Sequence, residues 1–244
     1  MYDNLKKKYG QNFLIDKNIL NKIEKLINKA NLNILEIGPG SGLLTERIIA
    51  KKPLKLTTIE IDKELIEYLK KKFINHSNLE IINLDFLKYD MNFEFDLIIS
   101  NLPYNISSQI LVKIVSSTYR PKNMIFMFQK EFAKKFFEKK LNSLNSLVNI
   151  FYNCKKEFYV SKNSFKPIPK VESTVVSFEI IKNPLLQNIE LENFIKFKRK
   201  IFSKKRKQLK SILKSNYNLK KLDYLNNRAE DLNLNQLIKI FRND

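Results

Sequence analysis

The chain of 244 residues has no tryptophan, one cysteine, one histidine and four glycines. A lone Cys154 excludes an internal disulfide framework and a cysteine-based zinc cluster. The lone His76, in a helix-to-strand loop without a metal-type partner, reads as structural, so no metal is expected. No stretch approaches the ~18 uninterrupted apolar residues of a membrane-spanning helix. The opening "MYDNLKKKYGQNF" has charge but no apolar run behind it, which is not the pattern of a secretory signal. These absences predict a soluble protein of a reducing compartment, most simply the cytoplasm; a monomer that does not act at a membrane is expected. Acidic residues are also few: Asp+Glu is 25 against Lys+Arg 45, a net charge of +20.

What is present begins with enough apolar material for a core, 43% of residues, which excludes global disorder. Asp16 precedes Ile19, Ile23, Leu26, Ile27 and Ala30, spaced for one face of a capped helix. Short apolar runs then alternate with helical segments. Strands are predicted at Ile34–Ile37, 54–62, 79–83, 95–100 and 123–128, with helices at Leu43–Ala50, 63–74 and 107–116 and helical segments from 129 to about Ile150. This alternation predicts βαβ units and an α/β fold with a mostly parallel sheet. "EFYVS" (157–161) and "STVVSFEII" (173–181) follow without a long intervening helix and predict an antiparallel pair finishing the sheet. After Pro184 the pattern is helical and basic, so the expected domains are 1–183 and a small all-helical 184–244.

The positive charge is not spread evenly. Residues 196–221 carry twelve Lys or Arg and no acid, including the run Lys204, Lys205, Arg206, Lys207. Phe194, Phe197, Ile201, Leu209, Ile212 and Leu213 keep near-helical spacing through the same stretch, so one face packs while the cations face outward. A polyanion, nucleic acid first and an anionic membrane surface second, suits that composition.

Three of the four glycines fall within five positions, Gly38, Gly40 and Gly42 of "LEIGPGSGLLTE", where a buried strand meets a helix. Glycine there permits positive φ and close approach of a ligand to backbone, although a mere tight turn would also suit it. Glu60, at the end of the second strand, can accept both hydroxyls of a ribose, and Asp85, after the third, can accept from an adenine amino group. Together they outline an adenosine-shaped site, which a nicotinamide cofactor would also fit. "NLPY" (101–104) leaves the fourth strand at the same edge of the sheet. The Asn101 side-chain oxygen and the Leu102 carbonyl can accept the two N–H bonds of an exocyclic amine, favouring a pyramidal nitrogen. Pro103 fixes the turn, and Tyr104 offers a stacking face for an unpaired purine. The arrangement suits alkylation of an adenine N6. Phe165 is a candidate second stacking face, or a packing residue.

With these motifs the chain resembles the ribosomal RNA adenine N6-dimethyltransferase family. The likeness is carried by "YGQNFL" (9–14), "EIGPGSGLLT" (36–45), "IEID" (59–62), "LD" (84–85), "NLPYNISS" (101–108), "FKPIPKVES" (165–173) and "RAEDL" (228–232). The resemblance implies a Rossmann-like class I methyltransferase fold, S-adenosylmethionine as donor, and dimethylation of two adjacent adenosines in the 3′-terminal hairpin of small-subunit (16S) ribosomal RNA. It further implies that Asn12 and Leu14 close over the cofactor, that Gly38 borders its methionine end with Gly40 also cofactor-binding, and that Asn101 lies at the transfer site. The implied partner is an immature small ribosomal subunit. Leu102 and "RAEDL" weigh against a macrolide-resistance methyltransferase of large-subunit (23S) RNA, and Leu102 against a DNA adenine methyltransferase. Intact Glu60, Asp85 and Asn101 weigh against a non-enzymatic RNA-binding or transcription-assisting relative.

Overall fold

A computed structural model describes residues 12–204, 206–213 and 223–243. The chain divides into two compact units, residues 1–133 with 155–180, and residues 134–154 with 181–244.

The first unit is built on a twisted sheet. In chain order the strands are β1 (Phe13–Leu14), β2 (Asn33–Ile37), β3 (Lys55–Glu60), β4 (Leu79–Asn83), β5 (Leu97–Asn101), β6 (Asn123–Gln129), β7 (Tyr152–Val160), β8 (Phe165–Lys166) and β9 (Ser173–Ile180). Seven form one sheet in the order β4-β3-β2-β5-β6-β9-β7, while β1 and β8 make a separate antiparallel pair. The pairs from β4 through β6 are parallel and β9 runs antiparallel to β6. Strand order reverses at β2, whose neighbours are β3 on one side and β5 on the other. An open sheet offers a crevice outside the carboxyl ends of its strands at such a point.

The helices of this unit follow from their sequences. In α1 (Lys17–Leu26) Asp16 caps the first turn, accepting from the N–H groups of Asn18 at 2.9 Å and Ile19 at 3.3 Å. Its other oxygen accepts from Ser164 Oγ at 2.9 Å, and that bond is the main reason the carboxyl sits below its usual range. Ile19, Leu20, Ile23 and Ile27 turn inward and join β2, β3 and β5 side chains in one apolar core. The other helices are α2 (Leu43–Ala50), α3 (Lys63–Lys72), α4 (Ser107–Val115) and the short α5 (Lys130–Lys134). From Ile34 on, β2 is apolar on both faces, as a strand covered on both sides must be, with the exception of the buried Glu36.

The second unit holds α6 (Asn145–Phe151), α7 (Leu191–Phe202), α8 (Leu209–Ile212) and α9 (Leu234–Phe241). Phe194 and Phe197 of α7 meet Phe241 of α9 with ring centroids 5.3 and 5.6 Å apart. α9 begins in a reciprocal cap between Asn233 and Gln236. Residues 134–154, expected with the first domain, cluster here instead. The reason is visible in their bonds: Leu141 N–H donates to the Glu230 carbonyl, and Lys140 pairs with Glu230 and Asp231. Among the described residues, the expected outward array of cations has one inward member. Lys198 of α7 is 5% exposed, and its ammonium donates to the carbonyl and hydroxyl oxygens of Ser143. Burial, with the nearby Arg199 charge, brings its pKa down to about 8.

Candidate active site

The carboxyl ends of β2, β3, β4 and β5 are in register around one cleft. Ile37 pairs with Ile59, Glu60 with Asn83, and Asn101 with Met127. The cleft has a volume of about 100 Å³. Its polar wall is made by Asn12, Glu60, Asp85, Asn101 and Tyr104, with Gly38, Gly40, Leu102 and Pro103 between them.

The glycine turn needs glycine for two different reasons. All three of its glycines have positive φ, +65° at Gly38, +57° at Gly40 and +75° at Gly42. At Gly38 a Cβ would meet nothing within 4 Å, so only the backbone conformation demands glycine. At Gly40 a Cβ would also come 2.7 Å from the Phe13 ring, which lies against the turn. The turn is therefore closed at Gly40 by the segment before α1, closed at Gly42 by the Leu69 and Phe73 side chains, and open at Gly38.

Glu60 fastens this turn to β3. One carboxylate oxygen accepts from the N–H groups of Ile61 at 2.9 Å and Asp62 at 3.0 Å, and the other from Gly40 at 3.3 Å. Burial pushes its pKa up, opposed by these three donors. Asp85 is half-buried and caps the turn Phe86–Lys88 through one oxygen, which accepts from Leu87 N–H at 2.9 Å. Asn101 Nδ2 donates to the Asn12 carbonyl at 2.9 Å. That bond ties the segment before β1 to the tip of β5 and leaves Oδ1 as the acceptor of the amide. Tyr104 is held at its far end, its hydroxyl 2.6 Å from Ser173 Oγ, and burial raises its pKa. A phenol fixed at its hydroxyl presents a ring of settled orientation.

Two expected members of the site lie elsewhere. Phe165 is 1% exposed and Leu14 is 5% exposed, both in the apolar core of the first unit, where they face each other across the β1–β8 pair. Phe165 is thus a packing residue in this structure and presents no stacking face, and Leu14 does not line the cleft. Phe13, next to Leu14, does. Of the basic run, Lys204, Arg206 and Lys207 are exposed, and Lys205 lies outside the described residues.

Sequence reasoning missed Phe13, although it stands inside "YGQNFL", and the apolar wall of Ile61, Leu65, Phe86 and Ile110. It also passed over Glu36. That carboxyl is 1% exposed, accepts from Thr45 Oγ1 at 2.6 Å, and is pushed up to about 8 by burial, with the negative charge of Glu60 adding to the rise. Its signal was an acid in the middle of a strand that is otherwise apolar on both faces.

A parallel sheet with a glycine turn after its first central strand, acids at the next two strand ends and Asn-Leu-Pro-Tyr at the fourth defines a Rossmann-like methyltransferase. The comparisons with known proteins narrow this class. A sequence profile described as ribosomal RNA adenine dimethylase matches residues 2–243. Ribosomal RNA small subunit methyltransferase A of Mycoplasmopsis synoviae is 39% identical, over 98% of this chain and 96% of its own length. The protein of the same name from Mycoplasma mobile is 42% identical over 91% of this chain and 88% of its own. Among solved structures, a dimethyladenosine transferase from Plasmodium falciparum superposes with a TM-score of 0.83 at 29% identity, covering 93% of this chain and 95% of that one. The chain belongs to the ribosomal RNA adenine dimethylase family.

Proposed function

We propose that this chain transfers methyl groups from S-adenosylmethionine to N6 of two adjacent adenosines in the 3′-terminal hairpin of small-subunit (16S) ribosomal RNA, giving N6,N6-dimethyladenosine. The observation that carries the reading is the convergence of Glu60, Asp85 and Asn101 on one cleft beside the glycine turn. The names of the relatives point to the same substrate.

The residues present fit the donor. Gly38 and Gly40 give a side-chain-free floor for its methionine end, Glu60 an acceptor for the ribose hydroxyls, and Asp85 an acceptor for the adenine amino group. When bound, S-adenosylmethionine supplies an electrophilic methyl carbon on sulfur. The protein's task is to make the adenine N6 a nucleophile, because its lone pair is delocalised into the ring. In the first transfer Asn101 Oδ1 and the Leu102 carbonyl accept its two N–H bonds, and in the second one of them accepts the N–H that remains, which favours a pyramidal nitrogen with the lone pair free. Tyr104, held by Ser173, stacks on the purine. The nitrogen becomes acidic as it gains a substituent, so its proton leaves to water without a strong general base.

We assign the backbone grip to residues 184–244, with Lys204, Lys205, Arg206 and Lys207 as phosphate contacts. The expected partner is an immature small subunit bound by a monomer. No helix among the described residues is long and apolar enough to cross a membrane. Mass spectrometry of nucleosides from small-subunit and large-subunit RNA, each incubated with protein and donor, tests the reading. Dimethyladenosine in the small-subunit digest alone is expected. Its absence there, or its appearance only in the large-subunit digest, overturns the reading.

A further inference from the structure

We propose that Tyr159, between Lys130 and Lys156, is a second nucleotide platform, taking one unpaired nucleotide of the RNA substrate beside the one that enters the cleft. The proposal deepens the RNA-methylation reading above and rests on it.

Tyr159 stands near the end of β7, an outer strand of the sheet, and is 52% exposed, while the next residue, Val160, is 1% exposed. Two ammonium groups approach its ring. Lys130 Nζ lies 5.1 Å from the ring centroid and Lys156 Nζ 5.0 Å from it, the latter also 3.2 Å from the phenol oxygen. An exposed aromatic ring with ammonium groups over it combines the two elements that bind single-stranded nucleic acid, a stacking surface for the base and cations for the phosphate. The net charge of +20 favours a polyanion. Lys130 is paired with Glu172 at 2.6 Å, both side chains solvent-accessible, and an exposed pair of that kind exchanges readily for a phosphate.

Its place in the fold argues for a flanking nucleotide rather than a distant one. Lys130 directly follows β6, and its N–H donates to the Glu172 carbonyl at 2.9 Å. The residue after Glu172 is Ser173, whose hydroxyl holds Tyr104 in the cleft. The platform and the target-stacking ring are thus joined through three residues at the carboxyl edge of one sheet. A substrate with two adjacent target adenosines requires a place for the neighbour while the other is in the cleft.

The test is binding of a fluorescently labelled single-stranded oligoribonucleotide by anisotropy, paired with methyl-transfer kinetics on small subunits. Tyr159→Ala is expected to weaken oligonucleotide binding about tenfold and to raise KM for small subunits with kcat within about twofold. Tyr159→Phe, which keeps the ring, is expected to behave as wild type. Lys156→Gln is expected to lower the slope of log affinity against log salt by about 0.7. Wild-type binding by Tyr159→Ala, or equal loss in Tyr159→Phe and Tyr159→Ala, overturns the platform. Because oligonucleotide binding is read without turnover, failure of the wild type to methylate small subunits would instead overturn the proposed reaction.

Discussion

The cleft and the helical unit handle charge in opposite ways. Around the cleft the charged groups are carboxylates fixed by short bonds from backbone: Glu60 by three N–H donors and Asp85 by one. In the helical unit the described members of the basic run, Lys204, Arg206 and Lys207, stand exposed on and around a turn, while the aromatic rings of α7 and α9 pack against one another. Fixed acceptors suit a small ligand whose hydroxyls and amines have set positions. Exposed cations on long stems suit a polyanion, where charge density matters more than geometry. Under the proposed function, this difference makes recognition of the donor and grip on the RNA backbone separable.

The largest effect expected from breaking this division is at Asn101. Asn101→Ala should lower kcat by about 10²–10³-fold, by analogy with the loss of one transition-state hydrogen-bond partner. Affinity for small subunits, read by filter binding, should stay within a few fold. Reversal of Lys204, Lys205, Arg206 and Lys207 to Glu should do the converse: RNA binding about 10- to 100-fold weaker at low salt, with a visibly flatter salt dependence. Binding unchanged across a salt series would remove the basic grip.

Smaller effects sharpen the account of the turn. Gly40→Ala meets both a positive φ and the Phe13 ring and should cost about 2–4 kcal/mol of stability in denaturant unfolding. Gly38→Ala meets the φ alone and should cost about 1–2 kcal/mol. Glu36 adds a pH signature. Its carboxyl ionises near 4.5 when unfolded and near 8 when folded, so between those values the folded state holds the extra proton. Its contribution to stability therefore falls as pH rises through that window and is level above it. Glu36→Gln should remove that slope, gaining on the parent by at most about 1.4 kcal/mol per pH unit, as thermal melts across the window would show.

Much of the cleft was legible because strand ends are legible. Glycine, acid and Asn-Pro signals each mark where a buried apolar run stops, and parallel strands bring their stops to one edge. The positions so marked, from Gly38 to Tyr104, line a single cleft. Phe165 and Leu14 were not legible in the same way. Their fate depends on a pairing between residues 13–14 and 165–166, across most of the first unit's sequence, which no local periodicity encodes. A phenylalanine also reads the same whether it stacks on a ligand or packs in a core. Lys198 escaped for a related reason: the apolar stripe of α7 predicted a buried face, but not that a lysine beside it would reach a backbone carbonyl there. Residues 134–154 escaped because their partners, Glu230 and Asp231, lie far downstream.

One titration tests the division most directly: calorimetric binding of S-adenosylhomocysteine to wild type, to Glu60→Ala, and to the protein with Lys204, Lys205, Arg206 and Lys207 reversed to Glu. The account predicts at least about tenfold weaker binding for Glu60→Ala, as for loss of a charged hydrogen-bond partner, and wild-type affinity for the reversed protein. Undiminished affinity in Glu60→Ala, or lost affinity in the reversed protein, would contradict it.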